Sequence, residues 1–360
     1  MQTSGHIRSK KAVAIWIYIG VFMLLVQVIL GGITRLTGSG LSITEWNVVT
    51  GTMPPLTQQK WVQEFEKYKA TPQFRLLNMD FQLTDFKFIF FWEWFHRFWA
   101  RLIGIVFIAG FIYLVAKRYL SKEMQKPLLI LFLLGALQGA VGWIMVASGL
   151  TGDALYVKPT RLALHFVFAM VLIAYAFWFA LQLSVPPGER VSNSKLRNNV
   201  LGLLVILFFQ LIYGALMAGH KAATAAATWP DINGQFVPSN IVSEKPLFLN
   251  FLENTQTIHY VHRMLAYLLI LVITIVTIKI YKIHPRSNYL RTAGVIPVVL
   301  VLVQAILGIA AVLISPTIVP GRWGAFEWIA QLHQVTGMLL VLSLMSVWYL
   351  TAGKRFNQSV

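Results

Sequence analysis

Apolar residues run along this chain in long stretches separated by short polar ones. Eight of those stretches reach the length of about 20 residues that a helix needs to cross a bilayer. They cover 12–33, 88–116, 127–148, 162–184, 199–219, 258–281, 293–315 and 328–351. Arg8, Lys10 and Lys11 precede the first stretch as they would a signal peptide. It is too long for a typical signal core, however, and Leu30-Gly31-Gly32-Ile33-Thr34-Arg35 makes a poor cleavage site, so it reads as a retained helix. Two connections are long, 34–87 and 220–257, and loops of that length carry structure or function of their own. Within the first, Trp61, Phe65 and Tyr68 recur at helical spacing among charges. That pattern predicts a short helix lying at the membrane surface or capping a site.

Composition agrees with the pattern: of 360 residues, 57% are hydrophobic and only 12% charged, against about 25% charged in a soluble domain. The length alone would suggest two domains. Cysteine is absent, which excludes disulfides, thiolate metal sites and covalently attached c-type haem. The net charge of +17 could point to nucleic acid, but its distribution assigns it elsewhere. The N-terminus, the 117–126, 185–198 and 279–292 connections and the C-terminus hold 16 Lys and Arg against Glu123 and Glu189 alone, while the rest of the chain holds 14 against 11 acids. By the positive-inside rule both termini are cytoplasmic and the long connections lie outside. The expectation is an all-α integral protein of the cell (inner) membrane, among lipid, with no nucleic-acid partner.

The chain also repeats itself. His96-Arg97 in the second span recurs as His262-Arg263 in the sixth, and His165 in the fourth as His333 in the eighth. The odd spans share Gln-x-x-x-Gly: Gln27/Gly31, Gln138/Gly142, Gln210/Gly214 and Gln304/Gly308. A tandem repeat of four spans predicts eight transmembrane helices in two four-helix bundles, 1–190 and 191–360, related by a pseudo-twofold axis along the membrane normal.

Of eight histidines, His6, His220 and His284 lie in polar connections, while His96, His165, His259, His262 and His333 lie in apolar segments. Each repeated histidine falls near the start of an even span, which places all four at one depth near the outer face. Zinc sites need three or four protein ligands. Two histidines per bundle fit axial ligation of a haem better. The glycines could admit a flat macrocycle or simply allow close helix packing. The glutamines could bond a haem edge or another helix. Arg97 and Arg263 could pair with haem propionates or snorkel to headgroups.

The halves differ at one place: three residues before His96 stands Glu93, and three before His262 stands His259. The spacing puts Glu93 on the face of its histidine. A carboxyl group in an apolar span is a functional-site candidate, set here against a structural role bonded to Arg97 or Arg101. One half would then carry out chemistry on its haem while the other holds a haem permanently.

At these residues the chain resembles the haem A synthases. The resemblance covers most of the chain. It is strongest over Gly31-Gly32-Ile33-Thr34-Arg35-Leu36-Thr37-Gly38-Ser39-Gly40-Leu41-Ser42, Thr44-Glu45-Trp46, Gly51-Thr52-Met53-Pro54-Pro55-Leu56 and Glu93-Trp94-Phe95-His96-Arg97. It implies an oxidoreductase that converts the C8 methyl group of haem O to a formyl group, giving haem A for terminal oxidases. In that resemblance Glu93 is the catalytic residue and His96 and His165 ligate the iron of the substrate, haem O. His262 and His333 ligate the iron of a haem b cofactor, with Arg97 and Arg263 binding alongside. Haem O synthase, the haem-copper oxidase assembly machinery and an electron donor that the sequence leaves unidentified are the implied partners, with a homo-oligomer left open. Two departures stand out: the cysteine pair of some members is absent, and His259 stands where glutamine is common. Two rival classes stay in view. One is a dihaem b-type cytochrome exchanging electrons with quinol, which would place histidine pairs at opposite faces. The other is a haem exporter or chaperone, which would not need Glu93.

Overall fold

A computed structural model of the chain describes residues 2–45, 52–283, 288–319 and 321–353; Trp46, Gly51, His284, Lys354 and Arg355 lie outside the described residues. Ten α-helices follow in order: α1 (Gln2–Leu36), α2 (Gln58–Lys69), α3 (Pro72–Leu77), α4 (Leu83–Ala116) and α5 (Lys122–Ala147), then α6 (Pro159–Ser184), α7 (Ser194–Gly219), α8 (Thr255–Ile283), α9 (Asn288–Ile314) and α10 (Ala325–Leu350). All except α2 and α3 are long and apolar enough to cross a membrane, so the eight expected spans are present. The ends reach further than apolarity alone suggested, because polar caps start the helices early. Gln82 N–H donates to Asp85 Oδ2 at 2.8 Å, which begins α4 at Leu83 rather than 88. Asn193 Oδ1 accepts from Leu196 N at 3.0 Å at the start of α7.

Helices α1, α6, α7 and α10 form the centre, with α4 packed on α1, α5 on α6, α8 on α7 and α9 on α10. Contact between the quartets runs through α6–α7, α6–α10 and α1–α10. Gly32 lets α10 come close, so that Gln334 Nε2 donates to the Val28 carbonyl at 2.8 Å. At the opposite end, the 185–193 connection joins the end of α10 through Val191 N–H to Leu350 O at 2.7 Å. One pairing breaks the parallel between the quartets. Helices α8 and α9 pack closely on each other, whereas contact between α4 and α5 is slight and both add residues to one cluster, around Leu114, Met124 and Leu128.

The helix expected around Trp61, Phe65 and Tyr68 is α2. Phe65 and Tyr68 are buried against Phe86, Ile89 and Phe90 of α4, with Phe65 and Phe86 stacked at 5.1 Å. The Tyr68 hydroxyl donates to Gln73 Oε1 and accepts from Asn78 Nδ2 at 2.7 Å, and burial pushes the phenol up to about 12. Opposite charges on the polar face, Lys67 with Glu64 and Glu45, raise the lysine ammonium, chiefly through the bond to Glu64. Thus α2 covers the first turns of α4, ahead of the turn that carries Glu93.

Candidate functional site

Each Gln-x-x-x-Gly pair sits one helical turn apart on one face of its helix, and on α1, α5, α7 and α9 that face receives a histidine from α4, α6, α8 and α10 in turn. A Cβ added to Gly31 would lie 3.1 Å from His96 Cε1. At Gly142 it would lie 2.8 Å from His165 Cε1, at Gly214 3.2 Å from His262 Cε1, and at Gly308 3.0 Å from His333 Cε1. The glycines therefore make room for imidazole rings, which is neither of the two uses considered from sequence.

The glutamine stands one turn away. Gln27 Nε2 lies 3.1 Å from His96 Nε2 and donates to the His96 carbonyl at 3.2 Å. Gln138 repeats this with His165, at 3.2 Å from Nδ1 and 3.1 Å from the carbonyl oxygen. Gln210 Nε2 stands 3.4 Å from His262 Nε2 and Gln304 Nε2 3.2 Å from His333 Nε2. His333 Nδ1–H donates to the Gln304 carbonyl at 3.0 Å, which fixes its tautomer, so Nε2 is the acceptor that the Gln304 amide meets.

In the second quartet the two rings stand near each other in an edge-on arrangement, centroids 6.4 Å apart and planes at 69°. An iron about 2 Å from one nitrogen of each ring, with about 1.1 Å from nitrogen to centroid, spans about 6 Å. The pair therefore fits bis-imidazole ligation of a haem. Among the described residues no group of three or more His, Asp or Glu assembles.

Glu93 is buried, 2% exposed, and its carboxylate is fully engaged. Arg97 Nη2 donates to Oε1 at 2.5 Å, while Ser42 Oγ at 2.7 Å and Ile43 N–H at 2.9 Å donate to Oε2. Arg97 also reaches the Ile43 carbonyl at 3.4 Å. Burying this charge is possible because a guanidinium and two further donors meet it. The network ties the 37–45 segment to α4, helped by Trp94 Nε1 on the Thr52 carbonyl at 2.9 Å.

The equivalent positions in the second quartet hold His259 and Arg263. Arg263 Nε donates to His259 Nε2 at 3.1 Å, and its Nη atoms donate to the carbonyls of Asp231 at 2.6 Å, Pro230 at 3.3 Å and Thr228 at 2.5 Å. Outside the helices, Asp231 is lowered, first by the Gly234 N–H bonded to its carboxylate. Both arginines thus hold the long connection above their site, a use that neither propionate pairing nor snorkelling anticipated. Sequence reasoning missed Ser42 as a partner of Glu93, although it stands in the Gly38–Ser42 motif. It also missed the 228–231 carbonyls, since backbone acceptors leave no mark in a sequence.

The family model described as cytochrome oxidase assembly protein, COX15-CtaA, matches residues 14–345. Among curated proteins, the heme A synthase of Flavobacterium psychrophilum is 40% identical over 338 residues, covering 93% of this chain and 96% of that protein. The heme A synthase of Flavobacterium johnsoniae is 39% identical over 94% of this chain and 99% of its own. That of Rhodospirillum centenum is 43% identical over 72% and 69%.

Proposed function

The chain belongs to the COX15-CtaA family of cytochrome oxidase assembly proteins, and from that premise we propose how its two quartets divide the work of a haem A synthase. It is an integral membrane oxidoreductase that converts the C8 methyl group of haem O to the formyl group of haem A. In this division residues 1–190 take the substrate between His96 and His165, and residues 191–360 hold haem b between His262 and His333. When bound, haem b supplies one-electron transfer beside the substrate.

One observation carries the division: four histidines sit in four alike Gln/Gly settings, yet among the described residues a carboxylate stands three positions before the histidine in the first quartet alone. Glu93 lies one helical turn from His96, its orientation set by Arg97, Ser42 and the Ile43 amide. Its Oε1 and Oε2 are the atoms that take a proton from the substrate's methyl-derived alcohol on the way to the aldehyde. His259 fills that place in the second quartet as the acceptor of the Arg263 Nε–H bond, and among the described residues no carboxylate bonds that arginine. Arg97 and Arg263 bind alongside the two haems and fix the connection over each site.

The charge bias supports a cell inner membrane location with both termini cytoplasmic and both sites near the outer face. The chemistry puts the chain after haem O synthase and before assembly of haem-copper oxidases. The test is co-expression with a haem O synthase and analysis of the extracted haems. The wild type yields haem A. Glu93→Gln keeps haem b and accumulates haem O or its alcohol. A wild type that makes no haem A overturns the function, and Glu93→Gln working at the wild-type rate overturns the role of Glu93.

A further inference from the structure

The repeat that aligns His165 with His333 also aligns the inner halves of α6 and α10, and there the quartets differ in side-chain size. Tyr175 and Trp178 of α6 pack against the first quartet's core, their rings 5.4 Å apart. Their counterparts on α10, 168 residues on, are Ser343 and Ser346. Two aromatic rings are thus replaced by hydroxyls, one turn apart on one face of α10. At that face lies an open groove of about 450 Å³, walled by Leu181 and Val185 at the end of α6 and by Ala293 and Ile296 near the start of α9. Its described lining residues carry no charge.

The two serines give the groove a defined polarity. Ser343 Oγ donates to the Leu340 carbonyl and Ser346 Oγ to the Leu342 carbonyl, both at 2.9 Å. With each proton committed back along α10, the hydroxyl oxygens offer lone pairs and accept from a ligand rather than donate to it. An apolar hollow between helices with a few placed polar groups is the usual form of a small-molecule site. Its depth relates it to the second histidine pair. Ser343 follows His333 by ten residues and Ile296 precedes Gln304 by eight, so the groove begins about 12–15 Å further into the bilayer, at about 1.5 Å per residue.

We propose that this groove binds a membrane quinol and that haem b draws its electrons from it. The inference rests on the functional reading above and names the donor to its cofactor. A hydroquinone ring is of the size of the side chains that the second quartet lacks. Its two O–H groups need acceptors, which the serine oxygens provide, and its isoprenoid tail runs out of the open groove into lipid. A phospholipid chain would use the apolar walls but not the acceptors, and a water-soluble donor would use neither. Oxidation of one quinol to quinone breaks two O–H bonds and releases two protons towards the inner ends of α9 and α10. The two electrons pass singly to haem b, each reducing one ferric iron to ferrous. In the first quartet the chain's own Tyr175 and Trp178 stand at the equivalent place.

The experiment mixes purified protein holding ferric haem b with a menaquinol of one isoprene unit, without oxygen, and follows the α band of the ferrous haem; dithionite gives full reduction. The wild type is reduced at a rate that saturates with quinol. Ser343→Tyr with Ser346→Trp, which installs the first quartet's rings, keeps the low-spin spectrum and full reduction by dithionite. Its reduction by quinol is slower by roughly tenfold or more. Ser346→Ala keeps the space, removes one acceptor and slows the reaction by roughly threefold to tenfold. A wild type that dithionite reduces and the quinol does not overturns the proposal. So does a wild-type rate in the double variant, which would leave the groove to a lipid chain. If the double variant fails to hold haem b, the wild type and Ser346→Ala decide, a wild-type rate in the latter again counting against the quinol. Haem b that is absent, or that survives His262→Ala unchanged, is a failure of the functional reading instead.

Discussion

Gly308→Ala tests whether these glycines exist for the histidines. The new Cβ would stand 3.0 Å from His333 Cε1, 3.5 Å from Nδ1 and 3.7 Å from Nε2. Carbon atoms pack at about 3.5–4.0 Å, so the ring must retreat by about half an ångström. It is not free to do so, because its Nδ1–H is bonded to the Gln304 carbonyl at 3.0 Å on the same helix as the glycine. Retreat either stretches that bond or moves Nε2, the atom that would hold the haem iron. Overpacking of this kind costs about 1–3 kcal/mol, which lowers haem b retention by roughly fivefold to a hundredfold. The assay is haem b per polypeptide after detergent purification and washing, together with the low-spin spectrum of bis-imidazole iron. Gly104→Ala and Gly135→Ala are the controls; their Cβ atoms enter open space, and alanine favours the helix by about 1 kcal/mol. If Gly308→Ala holds haem b as firmly as these controls, the glycine is not a seat for the ring.

Two further outcomes follow. His262→Ala or His333→Ala abolishes the low-spin haem b spectrum, whereas His96→Ala or His165→Ala spares it and abolishes conversion of haem O; the reverse pattern in haem spectra of purified variants exchanges the two quartets. Lys60→Cys, on the exposed face of α2 in a chain without other cysteine, reacts in intact cells opened only at the outer membrane with a thiol reagent that cannot cross the inner one; labelling only after the inner membrane is broken inverts the topology.

The spans were legible because a bilayer selects for apolar length, a property each segment carries by itself. The repeat was legible because histidine is scarce in such segments, so four at matched spacing stand out. What each repeated residue touches was less legible. Gln138 and Gly142 belong to one pattern, but their partner, His165, comes from a different helix. Glycine records only that something approaches, and both candidates from sequence, a macrocycle or a neighbouring backbone, were larger than the imidazole found there. Arg263 illustrates a second limit. Its acceptors are the carbonyls of Thr228, Pro230 and Asp231, groups that every residue has. Glu93 falls between these cases. Its importance followed from a carboxylate in an apolar span, but its engagement by Ser42 and Ile43, some fifty positions earlier, depends on how the first connection folds back over α4.

A duplicated bundle must differ somewhere if one copy is to keep its haem and the other to exchange it. Ligation alone does not separate the two, because all four histidines have the same glutamine and glycine around them. The separation falls on positions beside the ligands. At 93 and 259 the difference is charge: both residues bond the following arginine and both arginines hold a loop, so the scaffold is preserved while one copy gains a carboxylate. Glu93→His, which installs the second quartet's residue, leaves a group able to accept the arginine's bond and removes the carboxylate, so it separates binding of the substrate from its oxidation.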